Sequence, residues 1–205
     1  MRRVVIVGNA GAGKSMLARE VGQRLNLPIH HLDALFWKPG WVESERAAST
    51  ALVDALAACD RWVAEGNYSR TFPARFGRAD TVVWVDLPRT TCTRRIFARA
   101  FEWRGRSRPD MAPNCPEELP DLKVLRYIWT FPYTIGPKIT KAMAAHGEHA
   151  RLLRLRREHD VAAFVADPLT SPRRRTRACG CRPWRGTRDA SRSSRRAVLR
   201  GAAAR

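Results

Sequence analysis

The segment Gly8-Asn9-Ala10-Gly11-Ala12-Gly13-Lys14-Ser15 constrains this chain more than any other feature. It meets the pattern G-x-x-x-x-G-K-[ST] at every fixed position, and each residue type has a physical task. Glycines let successive backbone N–H groups turn toward phosphate oxygens, and a helix that follows adds the positive end of its dipole. The lysine neutralises the β and γ phosphates, and the serine hydroxyl is an oxygen ligand for Mg²⁺. A glycine-rich turn can fit such a pattern by chance, so the flanks decide. Residues 4–7, Val-Val-Ile-Val, form the uninterrupted β-branched run required of a parallel strand buried on both faces. Residues 15–25 carry Leu17, Val21 and Leu25 at helical spacing and stop before Asn26 and Pro28. Strand, loop and helix follow in the order a P-loop needs, so residues 8–15 read as a cradle for ATP phosphates.

The rest of the chain repeats that alternation. Residues 28–33 read as a second strand ending in Asp33, residues 61–65 as a third broken by Gly66-Asn67, residues 81–86 as a fourth closed by Leu87-Pro88, and residues 151–155 as a fifth. Helical spacing or composition marks residues 45–58, 90–103, 122–131 and 160–166, while residues 36–41 form an aromatic loop and 104–109 an arginine-rich one. Strands alternating with helices imply a parallel sheet covered by helices. At 205 residues, the length favours a single domain, placed at residues 1–167.

The formal charge of +19 is unevenly spread. Residues 168–205 hold 12 Arg, no Lys and 1 Asp, a net +11, which leaves +8 for residues 1–167. Beyond Asp167 hydrophobic periodicity fails and Arg, Ser, Gly and Ala take over, the composition of a disordered basic tail. The same abrupt switch is what a shifted reading frame in GC-rich DNA would produce. Five cysteines, odd in number and mostly scattered, do not suggest a secreted disulfide framework. Cys179-Gly-Cys181 is half a metal site without a second pair at suitable spacing. The apolar run after Met1-Arg2-Arg3 breaks before a signal sequence is complete, and none approaches the roughly 18 residues of a membrane span. A cytoplasmic chain with no membrane partner is expected.

Three blocks carry a closer resemblance: Leu32-Asp33-Ala34-Leu35-Phe36-Trp37 with Pro39-Gly40-Trp41, then Gly66-Asn67-Tyr68-Ser69, then Arg106-Ser107-Arg108-Pro109-Asp110-Met111. With the P-loop, Asp86-Leu87-Pro88 and Tyr127-Ile128-Trp129, they make residues 1–165 resemble adenylate-kinase-like P-loop kinases, and most closely the group called DNA topology modulation proteins. The resemblance implies an adenylate-kinase-like P-loop NTPase fold with a five-stranded parallel sheet, ATP and Mg²⁺ as ligands, and an arginine-rich lid near residues 100–120. It leaves the acceptor open, since a fold does not fix a function. Glu65-Gly66 matches the acidic residue that orders Mg²⁺ in such kinases, with Asp86 as the second choice. Arg95 and Arg99 match two arginines on the helix entering the lid, and their i, i+4 spacing puts both on one helical face, within reach of one triphosphate. Arg104, Arg106 and Arg108 then supply a lid arginine, taken as Arg106.

On the acceptor side, Asp33 would orient an alcohol and take its proton, or simply cap the next turn. Arg70 lies near the offset of a monophosphate-binding arginine, with one residue inserted, and Arg75 is a further candidate; either could instead pair with Asp80. Phe36, Trp37 and Trp41 are expected to pack rather than stack on a ligand. His30 and His31 are adjacent on a strand and point to opposite faces, so both cannot face one metal. These residues describe a kinase passing the ATP γ-phosphoryl to a nucleotide or other small acceptor. The basic tail suggests the alternative, a nucleotide-switched NTPase that binds DNA through its phosphates and affects its topology.

Overall fold

The computed structural model describes residues 1–168. Apart from Pro168, the expected tail, with Cys179 and Cys181, lies outside the described residues. The first half of the chain runs β1 (Arg3–Gly8), α1 (Lys14–Leu25), β2 (Ile29–His31), α2 (Leu32–Phe36), β3 (Trp37–Lys38), β4 (Val42–Glu43), α3 (Arg46–Ala58), β5 (Trp62–Glu65) and α4 (Phe72–Arg78). The second half runs β6 (Thr81–Val85), α5 (Arg89–Glu102), α6 (Leu122–Thr134), α7 (Gly136–His146), β7 (Arg151–Leu155) and α8 (Glu158–Ala166).

Five strands form one sheet in the order β2-β5-β1-β6-β7, every neighbouring pair parallel. Alternation along β1 explains the three layers. Val4 and Ile6 pack with Leu17, Val21, Ile96 and Phe164 on one face, and Val5 and Val7 pack with Trp62, Phe72, Phe76 and Ile139 on the other. The protein is thus an α/β P-loop sandwich with a five-stranded parallel sheet. Because β1 is central and its neighbours β5 and β6 precede and follow different helices, the crevice at the strands' carboxyl ends opens beside it, where ligands bind in open α/β sheets.

Three expectations need correction. Residues 28–33 do not form one strand: β2 stops at His31, opposite Glu65, because β5 ends there and offers no further ladder partner. Asp33 therefore sits in the first turn of α2, beyond the strand end. The aromatic loop is a short antiparallel hairpin, β3 against β4, turned by Gly40 and Trp41 at positive φ. Helices α4 and α7 went unread because each carries proline in its first turn, where a missing N–H is harmless although the sequence looks broken. Among the described residues no helix is long and apolar enough to cross a membrane.

Candidate functional site

The Gly8–Ser15 turn leaves the end of β1 and enters α1 at Lys14. Gly11 has φ +75°, and a Cβ there would lie 2.3 Å from the Cys92 carbonyl oxygen, so the loop lies directly on the first turn of α5. Gly13 has φ +90° and faces Arg95. Two asparagines fasten the turn. Asn67 accepts from Gly8 N at 3.1 Å and donates to Gly8 O at 2.9 Å and to the Tyr127 hydroxyl, while Asn9 donates to Ile128 O of α6. Asn9 thus contributes backbone, with its side chain turned into the protein.

Glu65, at the end of β5 and 2% exposed, is the hub beneath the cradle. It accepts from Ser15 Oγ at 3.2 Å, contacts His31 Nδ1 at 3.1 Å and pairs with Lys14 Nζ at 3.8 Å. Burial alone would raise its carboxyl, but the His31 hydrogen bond and the Lys14 ammonium outweigh burial and hold it below the ordinary value. Asp33 shows the opposite balance: burial and the neighbouring Glu65 charge raise it, against Lys14 and a 2.8 Å bond from the Tyr68 hydroxyl. Two carboxyls in one site are thereby pushed apart, one kept ionised and one inclined to hold a proton.

Above the cradle lies a cavity of 570 Å³, lined by Lys14, Ser15, Arg19, Arg95, Arg99, Arg108 and Asp110 among others. Arg95 donates to Ala12 O and pairs with Glu158. Asp110 was not anticipated as a site residue. Burial would raise its carboxyl, but Arg108 and a Ser15 hydrogen bond bring it below the usual range. A second cavity, of 270 Å³, opens on the far side of Tyr68, which stacks on Phe36 at 3.8 Å between ring centroids. Trp37, Glu43, Ser44, Arg46, Thr50, Ser69 and Arg70 complete its wall, so the two arginines share it with one carboxylate.

Several sequence candidates separate here. Lys14, Ser15, Glu65, Arg95 and Arg99 converge on the first cavity or the hub beneath it, and Arg70 reaches the second. Arg106 does not converge: it is exposed, lies over the Trp103 ring and donates to Glu102 O, whereas Arg108 lines the cavity. The reason is local geometry. Bridges pairing Arg104 with Glu117 and Ser107 with Pro116 fix the α5–α6 connection, and Arg108 then turns inward to Glu117 and Asp110. Arg75 is fully buried, and its donors are taken up inside the protein. It donates to Thr71 Oγ1 and to the carbonyls of Gly66 and Asn67, bracing the turn after β5, and burial lowers its pKa to about 9. Neither Arg70 nor Arg75 pairs with Asp80, which accepts from the backbone of Arg2 and Arg3. Asp86 is held by Arg154 at 2.7 Å, while the carboxylates that bond Ser15 are those of Glu65 and Asp110.

The hairpin ties the second cavity to residues 111–116 of the α5–α6 connection. Gly40 N donates to Asn114 O, Trp41 Nε1 to Pro116 O at 3.1 Å and Cys115 Sγ to Lys38 O, while Trp37 packs on Met111, Ala112 and Cys115. The aromatic residues thus pack as expected, yet Phe36 and Trp37 also line the second cavity.

No protein-family model matches the chain, and no curated protein matches its sequence. Solved structures do. A shikimate kinase from Acinetobacter baumannii in complex with shikimate aligns with TM-score 0.56 and 14% identity, over 82% of this chain and 91% of that one. A gluconokinase from Sinorhizobium meliloti 1021 aligns with TM-score 0.48 and 14% identity, over 83% of this chain and 90% of that one. At such identity the likeness to the Acinetobacter protein is one of fold, and the chain has the P-loop α/β sandwich found in that kinase.

Proposed function

We propose that this protein is an ATP-dependent phosphotransferase acting on a small acceptor, with residues 1–167 as its catalytic domain, a lid near 100–120 and a tail at 168–205. One observation carries the reading: a chain of polar contacts runs between the walls of the two cavities, from Lys14 of the first to Glu65, whose charge acts on Asp33, and from Asp33 to Tyr68 of the second. The cavity lined by Lys14 and four arginines suits a triphosphate, and the aromatic cavity behind Tyr68 suits its acceptor. The donor set fits ATP and Mg²⁺: a glycine turn at positive φ, a serine hydroxyl and a carboxylate held below its ordinary pKa in contact with it. Ser15 and Glu65 would hold Mg²⁺, which when bound supplies positive charge against the phosphates.

In this reading Lys14, Arg95, Arg99 and Arg108 stabilise charge on the transferred group, so catalysis rests on positioning and electrostatics. Asp33 takes the proton of an acceptor hydroxyl, and the burial that raises its pKa makes it a stronger base than an exposed carboxylate. Arg70, with Arg46, holds an anionic part of the acceptor. The fold shared with the Acinetobacter shikimate kinase is compatible with this reading. The resemblance to topology modulation proteins and the basic tail support the DNA-binding alternative, and truncation after Asp167 tests that role. A screen of acceptors coupled to ADP release tests the main reading. Lys14→Ala is expected to lower turnover by about two to three orders of magnitude; equal activity in that variant overturns the assignment.

A further inference from the structure

Arg99 leaves α5 and Arg108 lies nine residues later in the irregular connection, yet both guanidiniums reach the wall of the phosphate cavity. Two like charges so close are unstable unless something sits between them: burial and the Arg108 charge both lower the pKa of Arg99. The intervening group is Glu117. Its Oε1 accepts from Arg99 Nε at 2.8 Å and Nη2 at 2.7 Å, and its Oε2 accepts from Arg108 Nε at 2.7 Å. Asp110 takes Arg108 Nη1 at 2.8 Å.

Glu117 is 6% exposed and does not line the cavity; it stands behind the wall. Its own backbone is fixed, Glu117 N donating to Arg106 O and Gly105 N donating to Glu117 O. The carboxylate therefore grips the inner edges of both guanidiniums. One terminal nitrogen of each, Arg99 Nη1 and Arg108 Nη2, is left without a hydrogen bond to any described residue.

We infer that Glu117 is a positioning residue: its two carboxylate oxygens aim Arg99 and Arg108 together at the phosphates without touching the nucleotide. This rests on the phosphotransferase reading of the same cavity. A planar guanidinium donates in fixed directions, so holding the Nε edge fixes where the remaining donors point. Donors already in place need no reorganisation when charge develops. Glu117 thereby turns two mutually repelling cations into one preset fork.

The test uses the full-length chain with Mg²⁺·ATP as the probe. ATP turnover, calorimetric affinity for Mg²⁺·ADP and the thermal midpoint are measured for Glu117→Gln, Arg108→Lys and their combination. Glu117→Gln keeps the shape and removes the charge. The expected result, measured well below a thermal midpoint lowered by two uncompensated guanidiniums, is a loss of about tenfold in kcat with nucleotide affinity within about threefold. Arg108→Lys, which cannot be held by an Nε edge, is expected to lose a similar factor, and the double variant little more, because residues acting as one unit are non-additive. Multiplicative losses in the double variant overturn the inference. So does Glu117→Gln tightening Mg²⁺·ADP binding at unchanged kcat, which would make the carboxylate a competitor of phosphate. Should Glu117→Gln fail to fold, Arg108→Lys with wild-type kcat overturns the inference by itself. Lys14→Ala separates the two levels: if it binds Mg²⁺·ATP and turns over as the wild type does, the phosphotransferase reading has failed, whatever Glu117 does.

Discussion

The two cavities are made of opposite materials. The phosphate side is backbone and charge: a loop fixed between β1 and α1, wedged on α5 and walled by arginines, of which Arg95, Arg99 and Arg108 are paired with carboxylates. The second side is mostly side chain: a stacked Phe36–Tyr68 pair and a two-rung hairpin, with Arg46 and Arg70 at its wall. Charge recognised by fixed donors demands one geometry, whereas aromatic walls accept many shapes. The difference teaches where this chain is committed and where it is free: under the proposed reading, the site of the phosphoryl donor is dictated and that of the acceptor is adjustable.

The largest expected effect strikes the rigid side. Gly11→Ala places a Cβ 2.3 Å from the Cys92 carbonyl at φ +75°, so either the loop or α5 must move. A destabilisation of about 3 kcal/mol is expected, a fall in Tm of roughly 6–12 °C, with nucleotide binding lost. A wild-type Tm and affinity would show that the cradle is as pliant as the aromatic side. Next comes the seam. Asp33→Asn removes the base, and a loss of about a hundredfold in kcat is expected. Only ionised Asp33 accepts a proton, so wild-type activity falls as pH drops through its raised pKa, at an inflection above the ordinary carboxylate value of about 4. Persistence of that inflection in Asp33→Asn would assign the titration elsewhere. The smallest effect belongs to the hairpin. Trp41→Phe deletes the 3.1 Å bond to Pro116 O and is expected to cost about 1 kcal/mol, a Tm change of about 2–4 °C. A much larger drop would mean the aromatic side is the more rigid of the two.

The same contrast governs what the sequence made legible. Backbone-built features were readable because a short local pattern specifies them: the P-loop turn, four of the five sheet strands and Glu65 at the end of β5 lie where periodicity and turn residues put them. Where a strand ends depends on its neighbour, so Asp33 was misplaced by the early end of β5. Choosing among Arg104, Arg106 and Arg108 requires knowing the bridges that fold residues 104–117 back on themselves, and no periodicity encodes those. Glu117 was invisible for the same reason, its partners lying 18 and 9 residues away along an irregular path. Arg75 read as a ligand because nothing local reveals that the turn after β5 consumes its donors.

The three bonds between the hairpin and residues 114–116 bear on the timing of a catalytic cycle. If residues 103–121 swing away from the phosphates to release ADP, either the hairpin travels with them or those bonds break. In the first case the rim of the aromatic cavity opens at the same moment. In the second, the departing segment removes the surface on which Trp37 rests. Either way one movement would open both chambers, and under the phosphotransferase reading the two products would share a single exit event whose rate, rather than that of bond making, would be a natural ceiling on turnover.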